Sequence, residues 1–337
     1  MMNTPIPSRQ DYLIKTFGLK FPILAGGLMW LSDANYVSAC ARAGILGFIT
    51  AASFPDEGDL RNEIRKCRQQ SNGAPFGVNV SMLPKLVPGE KTEDVFRLII
   101  DEGVQVVETS GRNPEPYVTL LKDAGVKIIH KVPAVKYAQK AQQIGVDAVS
   151  IVGAECGGHP GEEMIGSMVN SILALKRLNI PYFIGGGIGH GAQIVAALSM
   201  GASGVVIGTR FLVAEEIWAH PDYKKALIHA SESDTALIMR SIRNTVRAFK
   251  NHTTDYVQAI EREQSDITID MLLPHVAGKI GKTAYETGDV TKGILSAGQS
   301  LGMTDKITSL ANIIATLKDE YQAALSRLDH FDGKVSQ

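Results

Sequence analysis

Cysteine, aromatic residues and any surplus of one charge are scarce in this sequence. Its 337 residues include three cysteines, 6% aromatics, and 34 Lys+Arg against 35 Asp+Glu. Cys40, Cys67 and Cys156 are widely spaced and form neither a C-x-x-C pair nor a disulfide framework, which fits a reducing cytoplasm. Without a basic excess to coat a phosphate backbone, nucleic acid is excluded as a main partner. No stretch approaches the ~20 apolar residues of a membrane span. Met1–Gly18 is polar, is broken by Pro5 and Pro7, and lacks the apolar run of a signal peptide. The sequence contains no H-E-x-x-H motif and no Cys/His cluster, so no metal is implied. The expectation is a soluble cytoplasmic protein. At 45% hydrophobic residues it is too apolar and too neutral for disorder.

Glycine is what the chain has in excess, with 33 residues against a usual share of ~7%. Its placement follows a rhythm. From Phe21 to Phe211, short apolar runs alternate with amphipathic segments. The runs are Pro22–Ala25, Leu46–Ile49, Phe76–Val80, Gln105–Glu108, Val126–Ile129, Ala148–Val152, Tyr182–Ile184 and Gly204–Ile207. They are continuous rather than alternating and rich in Val and Ile, as strands buried on both faces should be. Gly44, Gly125, Gly145 and Gly201 follow the helical segments and read as helix stops. Eight such units predict an α/β fold, a parallel (β/α)8 TIM barrel; the competing open doubly wound sheet would show fewer strands. After Phe211 the rhythm stops. Residues 219–308 read as an inserted helical subdomain after strand 8 that covers the substrate, with helix-like pieces at Tyr223–Ser231, Leu237–Lys250 and Asp255–Glu263. Ile307–Leu328 reads as the helix that closes the barrel. The barrel domain is thus 1–218 plus 309–337.

In this fold the chemistry lies in the loops after the strands. The loop after strand 7 holds five glycines in Gly185–Gly191, and the loop after strand 8 opens with Gly208 and Thr209. Together they match the frequent phosphate site of the barrel, where backbone N–H groups must approach an anion closely. Gly187–Ala192 also fits G-x-G-x-x-G/A, but the acid expected about 20 residues later for a dinucleotide is absent. A monophosphate such as that of FMN is therefore preferred. Gly298–Gly302 matches the nucleophile-elbow string but lies outside the strand rhythm, and the only later His is His330, near the C-terminus. His159, in the glycine-rich loop after strand 6, suits proton transfer or the anchoring of a small anion near neutral pH. Lys131 could face a flavin or form a rim salt bridge. Cys156 reads as a small buried hydrophobe, and His130 and His190 remain open between structure and site.

The motifs Pro22–Met29, Phe76–Pro84, Ile129–Lys131, Val146–Gly161, Gly185–Gly189 and Gly208–Leu212 resemble the nitronate monooxygenase family, FMN enzymes on a (β/α)8 barrel with an added helical domain. The similarity runs from about Phe17 to Leu328. Segments Asp147–Ile151, Glu155–Glu162 and Leu237–Thr245 look like a branch that reduces quinones with NADH, and Pro84 and Pro88 resemble its gating loop. Ala297–Gly302 is similar to flavin-dependent enoyl reductases. The resemblance implies that Gly27, Leu28 and Met29 border the flavin ring, that Ser81 and Lys131 contact the cofactor, and that Gly157 and Gly158 lie against it. It further implies that Gly186, Gly187, Gly208 and Thr209 bind the phosphate and that His159 is the active-site histidine. Val152 departs from a polar residue common in relatives, which puts one hydrogen bond to the FMN ribityl chain in doubt. The implied activity is oxidation of an alkyl nitronate by O2 to a carbonyl compound and nitrite. The alternatives are an NAD(P)H:quinone reductase on the same cradle and a non-catalytic barrel that binds a phosphate ligand. A homo-oligomer is left open.

Overall fold

The computed structural model describes residues 13, 16–82 and 90–332; Pro84 and Pro88 lie outside them. Eight parallel strands close into a barrel: β1 (Ile23–Ala25), β2 (Leu46–Thr50), β3 (Gly77–Met82), β4 (Val106–Gly111), β5 (Lys127–Val132), β6 (Ala148–Val152), β7 (Tyr182–Gly185) and β8 (Gly204–Ile207). Each overlaps one of the eight apolar runs, and β3, β4 and β5 extend two or three residues beyond theirs. Closure is made by β1 on β8, with Leu24 opposite Val206.

The intervening helices are α1 (Ala34–Arg42), α2 (Glu57–Gln70), α3 (Thr92–Asp101), α4 (Glu115–Asp123), α5 (Val135–Gln143), α6 (Ser167–Arg177) and α7 (Gly191–Ser199). The four helix-stop glycines have φ of +76° to +88°, the left-handed conformation that ends a helix. The last helix, α12 (Leu310–Asp332), seals the ring against α7. A Cβ on Gly191 would lie 2.3 Å from the Leu317 carbonyl, so glycine is what lets the two helices meet this closely.

Strand parity divides the interior. Leu24, Phe48, Val106, Ile129, Ala148, Phe183 and Val206 form an apolar floor with Leu13, Phe17 and Leu19. The alternate residues pack outward against the helices. Two positions further along β3, β4 and β5, the inward residues become Asn79, Glu108 and Lys131, so the barrel turns polar as it approaches its carboxyl end.

His130 lies on the outward face of β5. It is buried, and its Nδ1 is 2.9 Å from Thr109 Oγ1. It is therefore part of the strand–helix interface and does not line the site. Burial, opposed by a hydrogen bond with Thr109 and aided by the Lys131 charge, lowers its pKa to about 4. The unfolded chain takes up this proton near pH 6.5, whereas the folded chain resists until about pH 4. Stability contributed by neutral His130 should be intact above pH 6.5 and lost as pH falls toward 4, by up to ~3 kcal/mol. Denaturant unfolding of the wild type and His130→Asn across this range should show that slope in the wild type and a flatter profile in the variant.

Beyond β8 the insertion is mainly helical, as the sequence predicts, with one piece corrected. α8 (Pro221–Ile228) is followed by an antiparallel hairpin of β9 (Thr235–Ile238) and β10 (Val246–Phe249). The Leu237–Lys250 piece is therefore mostly hairpin and not helix. α9 (His252–Glu263), α10 (Ile269–Val276) and α11 (Gly278–Thr287) complete the segment. Ile238, Met239, Val246, Ala248, Val257, Ile260, Leu272 and Val276 give it a small core of its own.

Candidate active site

The loops at the carboxyl ends of the strands converge as this fold requires. The loop after β6 carries His159 and is fixed from four directions. Gly158 and Arg247 exchange backbone hydrogen bonds at 3.0 and 2.7 Å, joining the loop to β10. The Arg247 guanidinium is buried, donates twice to the Ala154 carbonyl (3.2 and 3.0 Å) and once to Thr235 Oγ1. The Glu155 carboxylate accepts from the backbone and hydroxyl of Ser167 and so caps α6, while its carbonyl accepts from Gln299. Arg243 reaches Glu162 at 3.6 Å.

Gly157 and Gly158 were expected to lie together against a cofactor, but their surroundings differ. A Cβ on Gly157 would lie 2.7 Å from the Ala297 backbone, so its bareness serves the packing of the 297–298 segment. Gly158 has φ +80° and open space where a Cβ would stand.

His159 keeps an exposed edge on this loop, while the chain crowds the rest of its ring. That desolvation lowers its pKa; the nearby charge of Lys131 adds to the effect, and a side-chain hydrogen bond with Asn244 opposes it. The imidazole is thus neutral near pH 7, with one nitrogen to donate and one to accept. Burial of Cys156 pushes its thiol up to about 12, so no thiolate nucleophile forms there at neutral pH.

The glycine cradle after β7 and β8 is narrower than the sequence pattern implies. The α7 N-terminus is already satisfied by protein. His190 Nδ1 accepts from Ala192 at 3.0 Å, Glu320 accepts from Gly191 at 2.8 Å, and Gln193 accepts from Gly189 and His190. His190 is therefore a helix cap. Gly186 is bare because a Cβ would meet the Gly153 backbone and Ser167 Oγ at 2.9 Å. What remains is a set of backbone N–H groups, on Gly187, Gly208 and Thr209, with no hydrogen-bond acceptor among the described residues. Gly208 shares its parity with Val206, and a Cβ there would meet only Leu28 Cδ2, at 3.6 Å. The Thr209 hydroxyl accepts from the Gly298 N–H at 2.9 Å. Unsatisfied N–H groups beside a bare inward-facing glycine suit an oxyanion.

On the opposite side, Gly27 approaches β3 so closely that a Cβ would lie 2.7 Å from Asn79. Leu28 N–H donates to Ser32 Oγ, and Met29 projects with its side chain exposed. Next to it Trp30 has φ +68° and is tied by its indole N–H to the Gly278 carbonyl, while its own carbonyl accepts from Trp218. Ser81 Oγ is 2.9 Å from Ser110 Oγ, and Lys131 Nζ is 2.9 Å from Glu108 Oε2. Val152 ends β6 with no polar group to offer. Gly298–Gly302 leads into and through a 3₁₀ turn, Gln299–Met303, with Ser300 buried, which removes the nucleophile-elbow reading.

Glu108, Asn244 and Arg247 escaped the sequence reading. A Glu directly after the two buried valines of β4 is a visible signal for Glu108. Nothing local marked Asn244 or Arg247, whose roles depend on a hairpin meeting a loop some ninety residues earlier. Among the described residues no helix is long and apolar enough to cross a membrane, and no group of His, Cys, Asp and Glu could hold a metal ion.

Comparison with known proteins gives a consistent picture. The profile of the nitronate monooxygenase family matches residues 10–320. A (3aS,4S,5R,7aS)-5-hydroxy-7a-methyl-1-oxo-octahydro-1H-indene-4-carboxyl-CoA dehydrogenase from Mycobacterium tuberculosis is 31% identical over 68% of this chain, and the chain spans 62% of that relative's length. A probable nitronate monooxygenase of Staphylococcus saprophyticus is 27% identical over 89% of this chain and 94% of its own. The structure of FabK from Thermotoga maritima is similar at a TM-score of 0.86 and 30% identity, covering 95% of this chain and 98% of that one.

Proposed function

The chain belongs to the nitronate monooxygenase family, a family of oxidoreductases, and from that premise we propose that it is an FMN-dependent enzyme oxidising alkyl nitronates with O2 to a carbonyl compound and nitrite. The observation that carries the reading is the pairing of a neutral His159 beside an open Gly158 with a cradle of unsatisfied N–H groups. A catalytic imidazole and an oxyanion seat at the mouth of one barrel are what a phosphate-bearing redox cofactor and a small substrate need.

The residues present fit FMN. Gly187, Gly208 and Thr209 would hold its phosphate by backbone N–H groups. Gly27, Leu28 and Met29 would border the ring, with Lys131 and Ser81 offering polar contacts and Gly158 an open backbone face. When bound, FMN would supply the two-electron oxidation and return to its oxidised form with O2. His159 would donate a hydrogen bond to a nitronate oxygen, or take a proton from the carbon of the parent nitroalkane, through its neutral ring. Asn244 would hold that ring through its side-chain hydrogen bond, and Arg247 would fix the loop that carries it. Met29 and the Trp30 loop would restrict water at the mouth.

The Mycobacterium relative favours a second reading, dehydrogenation of a coenzyme A thioester on the same cradle, because its identity exceeds that of the nitronate monooxygenase relative. FMN-loaded protein should be mixed anaerobically with propionate-3-nitronate, NADH, NADPH or an alicyclic acyl-CoA, and its visible absorbance followed. Bleaching by the nitronate, with oxygen uptake and nitrite release in air, is expected. Bleaching only by a pyridine nucleotide would replace the first reading with a quinone reductase, and bleaching only by the thioester would replace it with the dehydrogenase. A protein that binds no flavin removes all three.

A further inference from the structure

Glu108 has no part in the reading above, yet it is a charge held wholly inside the barrel. It is fully buried on β4, and its Oε2 gathers three donors. Asn79 Nδ2 on β3 lies at 2.6 Å, Lys131 Nζ on β5 at 2.9 Å, and the Gly27 backbone N–H at 3.4 Å. Oε1 is buried with no partner. One carboxylate oxygen thus ties two neighbouring strands and the loop after β1 to β4, at the layer where the barrel interior turns polar. The Lys131 side chain is 21% exposed and that of Glu108 0%, so the carboxylate lies behind the ammonium as seen from the opening.

A purely structural role explains this poorly. Withdrawing a carboxylate from water costs several kcal/mol, and the unpaired oxygen adds a desolvation cost that a hydrophobic floor would not carry. The cost buys a fixed position and a fixed charge for Lys131. We infer that Glu108 is a positioning residue: it holds Lys131 at the floor of the cofactor site, and its negative charge offsets the field of the ammonium there, keeping the reduction potential of the bound flavin down. This inference rests on the flavin reading of the site.

The signs follow from Coulomb's law. Reduction adds electron density to the ring, so a nearby cation favours the reduced form and a nearby anion opposes it. Screening by salt is weak for buried charges. With Glu108 neutralised, Lys131 acts uncompensated and the reduced form gains. With Lys131 removed, the carboxylate acts alone and the reduced form loses.

The test is the midpoint potential of FMN-reconstituted wild type, E108Q, K131M and the double variant, measured against reference dyes. E108Q is expected to raise the reduced-to-oxidised ratio at fixed potential about tenfold, equivalent to about 30 mV for a two-electron couple. K131M is expected to lower it, and the double variant to return close to the wild type. Shifts of the same sign in both single variants, or no shift in either, would overturn the inference. FMN titration of the wild type by its visible spectrum separates the two levels. A wild type that binds no flavin refutes the cofactor reading, whereas a wild type that binds flavin with unshifted variant potentials refutes only the role of Glu108. Should E108Q fail to fold, the signs of K131M and the double variant decide.

Discussion

Replacing His159 with Ala is expected to lower turnover by about 10²- to 10⁴-fold, the usual worth of a positioned acid–base group, while FMN binds within about threefold of the wild type. The separation follows from the geometry. His159 stands on the β6–α6 loop, whereas the N–H groups proposed for the phosphate stand on the loops after β7 and β8. The pH profile gives a second readout. Desolvation, assisted by the Lys131 charge, keeps the imidazole pKa below its usual value. The neutral base therefore persists to lower pH than a free histidine would allow. The acid limb of kcat/KM should lie below pH ~6.5 in the wild type and vanish from the residual activity of the variant. Steady-state kinetics with a nitronate, alongside a flavin titration, measures both. If His159→Ala lost flavin and activity together, the residue would be a cofactor ligand and its catalytic assignment would fall.

Gly208→Ala is expected to show the converse pattern. The added methyl meets no protein atom closer than Leu28 Cδ2 at 3.6 Å, so apoprotein stability should change by less than ~1 kcal/mol. The methyl would point inward, over the N–H groups of Gly208 and Thr209, and displace an anion from them. Losing one charge-assisted hydrogen bond is worth about 1.5–3 kcal/mol, so FMN affinity should fall about tenfold to a hundredfold. Denaturant unfolding of the apoprotein and flavin titration test the two halves independently. Unchanged affinity would mean that the phosphate sits elsewhere.

The barrel was legible in the sequence because its strands are buried on both faces and its helices end on glycine, so each unit carries its own punctuation. Ala148–Val152 and Gly204–Ile207 could be read to the residue. The glycine loops were visible for a related reason, since a backbone that must approach an anion cannot carry a Cβ. Bareness at Gly157 and Gly186 has a second cause, because a Cβ there would also strike the backbone of a packed loop. The hairpin was missed because β9 and β10 have four residues each, too few for alternation to register. Leu237, Ile238, Ile242 and Val246 fall at helical spacing instead. Glu108 was written inside a recognised strand, but its meaning depends on strand parity in a closed ring and on Lys131, which is 23 residues away.

The clamp of Arg247 on the Ala154 carbonyl spans 93 residues of chain. Its consequence is an order of events in folding. During synthesis all eight barrel strands emerge before the hairpin does. A nascent chain stopped after β8 therefore has the ring's full sequence but not the contact that holds the His159 loop. The His159 loop therefore takes its final setting only once the hairpin is in place, so a chain truncated after β8 would keep every barrel strand and lose the Arg247 clamp.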